Sequence, residues 1–393
     1  MISIRSCQVL HVAVPLASKI KHASHERTTS ENIIVRVALS DGSLGFGEGV
    51  PRSYVTGETI ESAFDHLRGV DLQRLVGGVD SVERLIERLS GWQLESIAND
   101  PRGMYGNAAR CALETALLDA YGRSWGMSVG EILRRAPIAE DLLTPSPRPV
   151  RYSGAITAAS PRKERISAWK MRIYGFHQVK IKVGVPGQDD PARLQALRRI
   201  LGSRIDIRID ANEAWECDEL LDRVEPLRRF SISALEQPVP HAQVGGLAEL
   251  RPRLGIPIML DESLCGLPDA AAAIDEGTAD ILNVRLSKCG GFFPSMRIVA
   301  LARKAGLGIQ LGCHPGETGL LSAAGRHFAS NIDSLRYVEG SYDRHVLASN
   351  PTTPDITFRY GGRAGVLDRP GLGVEVDPRV LEQMTAGSRE LIG

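Results

Sequence analysis

Residues 178–182 read QVKIK, 205–212 IDIRIDAN, 232–238 ISALEQP, 256–263 IPIMLDES and 281–291 ILNVRLSKCGG. Each is a short β-branched run that ends in ionisable residues. The runs 150–156, 308–312 and 334–338 have the same character. The spacing is about 25 residues, enough for one strand and one returning helix. Amphipathic segments such as 190–201, 215–229 and 294–305 fit between them. Eight such units predict an α/β protein whose core is a (β/α)8-type barrel, a modified TIM barrel, over residues 150–354. A doubly wound sheet is the rival. It would carry a glycine-rich phosphate turn after its first strand, and Ile156-Thr157-Ala158 offers none.

The flanks predict a second unit. Ile2–Val14, Asn32–Leu39 and Leu44–Gly47 alternate like strands, with an Asp41-Gly42 hairpin signal between the last two. Residues 56–135 read as helical, with Ser81 at one N-cap and an Ala/Leu-rich run at Asn107–Gly122. TPSPRP (144–149) reads as a linker. Residues 1–135 thus predict an α+β capping domain, onto which the Pro/Gly-rich tail 355–393 packs back.

Composition narrows the function. The chain has 393 residues, with 47 Lys+Arg against 47 Asp+Glu, so no basic excess exists to neutralise phosphates. Nucleic-acid binding is therefore not expected. No apolar run approaches the roughly 20 residues of a membrane span, and the start lacks a signal-peptide layout. The expectation is a cytoplasmic protein. Six scattered cysteines without a CxxC pair fit reduced thiols. Only eight of the 47 basic residues are lysine, so Lys180, Lys182 and Lys288 stand out.

Barrel active sites lie at the C-terminal ends of the strands. Read in order, those ends carry Lys180 and Lys182, then Asp210 and Asn212, then Glu236, then Asp261 and Glu262, then Lys288, then Glu317. Asp210, Glu236 and Asp261 on three successive strands would repel one another and resist ionisation. A divalent cation removes that problem, and hard oxygen donors suit Mg²⁺, with Mn²⁺ able to substitute. Lys182 and Lys288 flank this acid set from either side. A desolvated lysine beside a cation loses its proton more easily and acts as a general base. The bland alternative is acids paired with arginines and lysines facing solvent.

In this order and spacing, the KxK, DxN, EQP, DES and KCGG motifs resemble the enolase superfamily, within it the muconate-lactonising-enzyme subgroup. The capping segments DGSLGFGEGVPRSYVTGET (41–59) and NAARCALETALLDAYGR (107–123) extend the resemblance over nearly the whole chain. It implies Mg²⁺ on Asp210, Glu236 and Asp261, and acid/base lysines at Lys182 and Lys288 on opposite substrate faces. Lys180 would assist by charge, Asn212 would support the metal shell and Glu262 would partner Lys288. The substrate would be a small carboxylate, the assembly a homo-oligomer. The chemistry implied is removal of the proton α to a carboxylate, giving an enediolate. Return from the other face is racemisation or epimerisation. Loss of a β group, or cycloisomerisation of a muconate-type diacid, would use the same residues.

The capping loops at 16–27 and 49–57 would lie over the barrel mouth. Lys19, Lys21 and Arg52 there, with His22 and Arg27, are candidates for an anionic distal group. YVTGET resembles loops of dipeptide epimerases. Those carry an Asp-x-Asp after the eighth strand for a substrate ammonium, where this chain has Tyr337-Val338-Glu339 and then Asp343. Glu339 and Glu317 are the acidic candidates. The expected substrate is an N-acyl amino acid or dipeptide. His327 is expected to be structural.

Overall fold

The computed structural model describes residues 2–21, 26–96, 106–157 and 160–392. His22 and the side chain of Lys21, both candidates above, lie outside the described residues.

The N-terminal strands Ile4–Lys21, Glu26–Leu39 and Leu44–Gly49 form the expected antiparallel meander. A fourth strand, Thr385–Ile392, comes from the tail and pairs with the first. The helix Asn107–Trp125 lies across this sheet. Its approach explains the GFGEG sequence. Gly45, Gly47 and Gly49 share one face of their strand because side chains alternate. A Cβ on Gly45 would sit 2.3 Å from the Ala116 carbonyl, one on Gly47 2.1 Å from that of Ala112, and one on Gly49 2.0 Å from that of Ala108. Alanines four apart on the helix thus meet glycines two apart on the strand, backbone against backbone.

Eight parallel strands follow in sequential order: Gly154–Ile156, Gln178–Lys182, Asp206–Asp210, Ile232–Glu236, Ile258–Leu260, Ile281–Val284, Gly308–Leu311 and Leu335–Val338. The Ser153 amide donates to the Val338 carbonyl at 2.8 Å, bringing the first strand to the eighth. Outward residues such as Val179, Ile181, Ile207 and Ile209 are buried against the surrounding helices. Ala234, Met259, Ile281 and Tyr337 form a separate apolar layer inside, a floor for the polar residues above.

Two expectations change. The first strand is not continuous over 150–156. Val150–Arg151 pairs antiparallel with Arg363–Ala364 of the tail, and only Gly154–Ile156 joins the barrel. The tail therefore touches the barrel before it reaches the capping sheet. The helix expected over 215–229 shrinks to Leu220–Val224 and a 3₁₀ turn, Glu225–Phe230. Pro226 lacks the amide that a continuous α-helix needs there. Among the described residues no helix is long and apolar enough to cross a membrane.

His327, on the helix Gly319–Asn331, ties three parts of the chain together. Its Nδ1 accepts the Gly130 amide at 3.2 Å, and Nε2 lies 3.1 Å from the Leu372 carbonyl. Burial holds its pKa down to about 4. The folded value lies below the unfolded one, near 6.5, so the unfolded chain takes up the proton first. This stabilising contribution is full above pH 6.5 and is lost as the pH falls toward 4, by roughly 3 kcal/mol. Chemical denaturation at several pH values should show this acid limb in the wild type and a flatter one in His327→Leu, which is less stable at neutral pH.

Candidate active site

The barrel interior above the floor is built by alternation. On each strand the outward residues are apolar, and those two apart point inward. On the second strand these are Lys180 and Lys182, on the third Arg208 and Asp210, on the fourth Glu236. Asp210 pairs in register with Lys182 on one side and Glu236 on the other. Asp210 and Glu236 are buried at 1% and 0% exposure. Two carboxylates therefore face each other across neighbouring strands, a destabilising arrangement unless positive charge compensates it.

Lys180 supplies part of that charge. Its Nζ lies 3.3 Å from Asp210, 3.4 Å from Glu236 and 2.9 Å from Glu339. Burial works against its charge, but Glu236, Glu339 and Asp210 outweigh burial and raise its pKa. Burial likewise pushes Asp210 up, yet Lys180 and Lys182 hold it below the usual carboxylate range. Glu236 is raised, chiefly by burial, with Asp210 adding repulsion. Asn283 donates to Glu236 Oε1 at 2.9 Å, while Oε2 is buried without a hydrogen-bond partner.

Lys182 donates to Asn212 Oδ1, and the Asn212 amide group donates to Glu262 at 3.1 Å. The Asn212 backbone N–H also caps Asp210 at 3.1 Å. Asn212, Glu213 and Gln237 have φ of 44°, 64° and 35°. Such left-handed backbone at two adjacent strand ends is strain held in place by the surrounding site. On the far side, Lys288 is fully buried and donates to Asp261 Oδ1 at 2.8 Å and to the Asn283 carbonyl at 3.0 Å. Burial, with repulsion from Arg285, lowers its pKa to about 8. Arg285 also pairs with Asp261.

The three acids thus line one mouth, each turned onto a cationic side chain. Among the described residues, no three acidic, histidine or cysteine side chains form a closed ligand cluster. Glu262 accepts from Asn212 and its charge also acts on Lys288, while Lys288 itself donates to Asp261. Burial raises Glu262 to about 7, with Asp210 and Glu236 pushing the same way.

The distal candidates fare differently. Arg52 is only 5% exposed and donates to the Glu31 and Pro51 carbonyls at 2.9 and 2.8 Å and to Ser30 Oγ at 2.5 Å. These bonds tie the loop after the third strand to the second strand of the capping sheet. Arg52→Ala should therefore lower stability by about 1–3 kcal/mol in urea titrations and leave KM within about twofold. Glu339, the acidic candidate at the end of the eighth strand, pairs with Lys180 and Arg208. Those cations hold its pKa down to about 2 against the effect of burial. Asp343 accepts from Ser322 at 2.6 Å and Asn350 at 3.2 Å. Lys19 is exposed on the long first strand. Glu317 is at the mouth, half-buried, accepting the His314 amide, with desolvation raising its pKa to about 8. The cavity between Glu317 and Glu339 measures about 10 Å³, room for roughly one water.

Arg208, Asn283, Arg285 and Gln310 were not anticipated. All four occupy inward positions two residues from another inward residue, and all are buried. A polar residue in the inward phase of an apolar strand was the available signal.

The mandelate racemase / muconate lactonizing enzyme N-terminal domain matches residues 4–133, and the enolase C-terminal domain-like model matches 164–380. An L-Lys-D/L-Arg epimerase of Methylococcus capsulatus is 32% identical over 94% of this chain and 98% of its own. An N-succinyl-L-Arg/Lys racemase of Bacillus cereus is 26% identical over 95% of both chains. The crystal structure of a dipeptide epimerase from Cytophaga hutchinsonii, complexed with Mg and D-Ala-L-Val, superposes with a TM-score of 0.82, at 25% identity over 100% of both chains. The order of acids and lysines around the mouth, the capping sheet and these matches together place the chain in the enolase superfamily, in its muconate-lactonising-enzyme subgroup.

Proposed function

We propose that the protein is a Mg²⁺-dependent racemase or epimerase acting on the carbon α to the carboxylate of a dipeptide or N-acyl amino acid. The observation that carries this reading is the pair of lysines, Lys182 ending the second strand and Lys288 beyond the sixth, with the acid set between them. Asp210, Glu236 and Asp261 would hold the cation. The fit is chemical: three hard carboxylates, two of them directly opposed, and a buried Glu236 oxygen without a partner. When bound, a divalent cation stabilises negative charge developing on the substrate carboxylate. Mn²⁺ meets the same donor requirements.

The chain's own residues do the rest. One lysine, in its amine form, takes the α-proton as the C–H bond breaks and the electron pair moves into the carboxylate. The opposite lysine, as ammonium, returns a proton to the other face, inverting the centre. Lys180 keeps fixed positive charge beneath the reacting carboxylate. Asn212 orients Lys182. With Glu339 and Asp343 engaged, Glu317 and the capping loop are left to read the distal end, and the Lys-Arg specificity named for the Methylococcus relative favours a basic dipeptide. Six free, scattered cysteines fit a reducing cytoplasm, and we place the enzyme there as a homo-oligomer.

The test is α-proton exchange in D₂O with Mg²⁺, followed by NMR, on L-Lys-L-Arg, N-succinyl-L-arginine and cis,cis-muconate. Exchange and a new epimer from either amino-acid substrate is the expected result. Lactonisation of muconate, with both others inert, would overturn it.

A further inference from the structure

Lys182 lies within its strand, where the sheet fixes its backbone: the Val183 amide donates to the Asp210 carbonyl at 2.9 Å. Lys288 lies four residues beyond the end of its strand at Val284, in a turn. That turn is gripped from the capping domain. Asn107, at the start of the helix Asn107–Trp125, donates its side-chain amide to the Lys288 carbonyl at 2.7 Å and to the Cys265 carbonyl at 2.6 Å. One helical turn on, Arg110 donates to the Gly290 carbonyl and pairs with Glu114. Glu114, fully buried, accepts the Phe293 amide at 3.2 Å and also that of Phe292. From the other side, the Val50 amide donates to Ser287 Oγ at 2.7 Å.

The two glycines of the turn answer to this grip. Gly290 and Gly291 have φ of 86° and 106°. A Cβ on Gly291 would lie 2.6 Å from the Glu114 carboxylate, and one on Gly290 3.1 Å from Asn107 Oδ1. Asn107, Arg110 and Glu114 are spaced three and four apart, one face of the helix, and all their bonds to the turn go to backbone groups. They fix where the Lys288 main chain sits without touching its ammonium.

We infer that Asn107, supported by Arg110 and Glu114, is a positioning residue for Lys288, so that the capping domain sets the reactivity of one substrate face and not of the other. The inference rests on the reading of Lys182 and Lys288 as the two acid/base groups. Its consequence is an asymmetry: loosening the grip should slow proton removal by Lys288, while removal by Lys182 proceeds from a base anchored in the sheet.

The experiment uses the full-length enzyme with Mg²⁺ and the epimer pair L-Lys-L-Arg and L-Lys-D-Arg, measuring the initial rate of α-proton exchange from each. Lys182→Ala and Lys288→Ala first identify which epimer each lysine serves. Asn107→Ala is then expected to lower kcat for the epimer served by Lys288 by about tenfold or more, with KM unchanged and the other epimer within about threefold. Ser287→Ala, a gentler change, should act in the same direction and decides the matter if Asn107→Ala does not fold. Glu48→Gln alters a capping contact at the seventh-strand helix, where Glu48 accepts from Thr318, and should not discriminate between epimers. Equal loss for both epimers, or no loss in folded variants, overturns the inference. If the lysine variants themselves show no epimer preference, the two-base reading falls and the inference with it. If they do and Asn107→Ala does not, the inference alone is wrong.

Discussion

Asp210→Asn and Glu236→Gln are each expected to remove measurable Mg²⁺ binding in calorimetry and to lower kcat by about 10³-fold or more. The two carboxylates oppose each other across adjacent strands and are almost without exposure. Neutralising either removes a hard anionic donor, and with it the repulsion between the pair that a cation relieves. The fold should survive. In Glu236→Gln, Lys180 and Arg208 both keep Glu339 as a partner, and the amide retains the shape of the side chain. Circular dichroism and the urea midpoint test that claim, and calorimetry gives a readout independent of turnover. Retention of full metal affinity by both variants would place the ligand set elsewhere. Asp261→Asn should follow the same pattern with a larger structural component, because Lys288 and Arg285 both lean on that carboxylate.

Much of this arrangement was legible in the sequence because barrel strands report their own ends. IDIRID and ISALE give the strand period, and the acid that closes each run falls in the inward phase. The eight strands and the convergence of Lys180, Asp210 and Glu236 follow from that alternation. What the sequence withheld are the partner choices. Arg52, in a loop beside other basic residues, gave no sign that its guanidinium turns into the capping sheet toward Ser30 and two carbonyls. Glu339 was visible as an acid at a strand end. That Lys180 and Arg208 pair with it depends on the closure of the barrel, which brings the eighth strand round to the second and third. The alternating glycines of GFGEG stand in the quoted capping segment, but their cause, a helix backbone that a Cβ would strike, needs residues 45–49 to meet residues 108–116.

Lys182→Ala and Lys288→Ala are expected to give complementary defects. Each should lower α-proton exchange from one epimer by about 10²–10⁴-fold, the range ascribed to a positioned acid or base. Each should leave exchange from the opposite epimer much less affected. Epimerisation itself needs both groups and should be lost in either variant, because a proton taken from one face must be replaced from the other. The environments make the two lysines distinguishable. Lys182 is held by Asn212, which also meets Glu262, so Asn212→Ala should weaken the Lys182 side selectively. Lys288 is wholly buried among Asp261, the Asn283 carbonyl and Arg285, and burial already disfavours its charged form. Removing its side chain leaves the Asp261–Arg285 pair intact, so the variant should stay folded and bind Mg²⁺. Single-turnover exchange in D₂O, epimer by epimer, is the decisive measurement. If both lysine variants lose exchange from both epimers equally while metal binding is retained, one lysine serves both faces. The other would then act only by its charge, and the pathway would be a one-base shuttle in place of inversion between opposed groups.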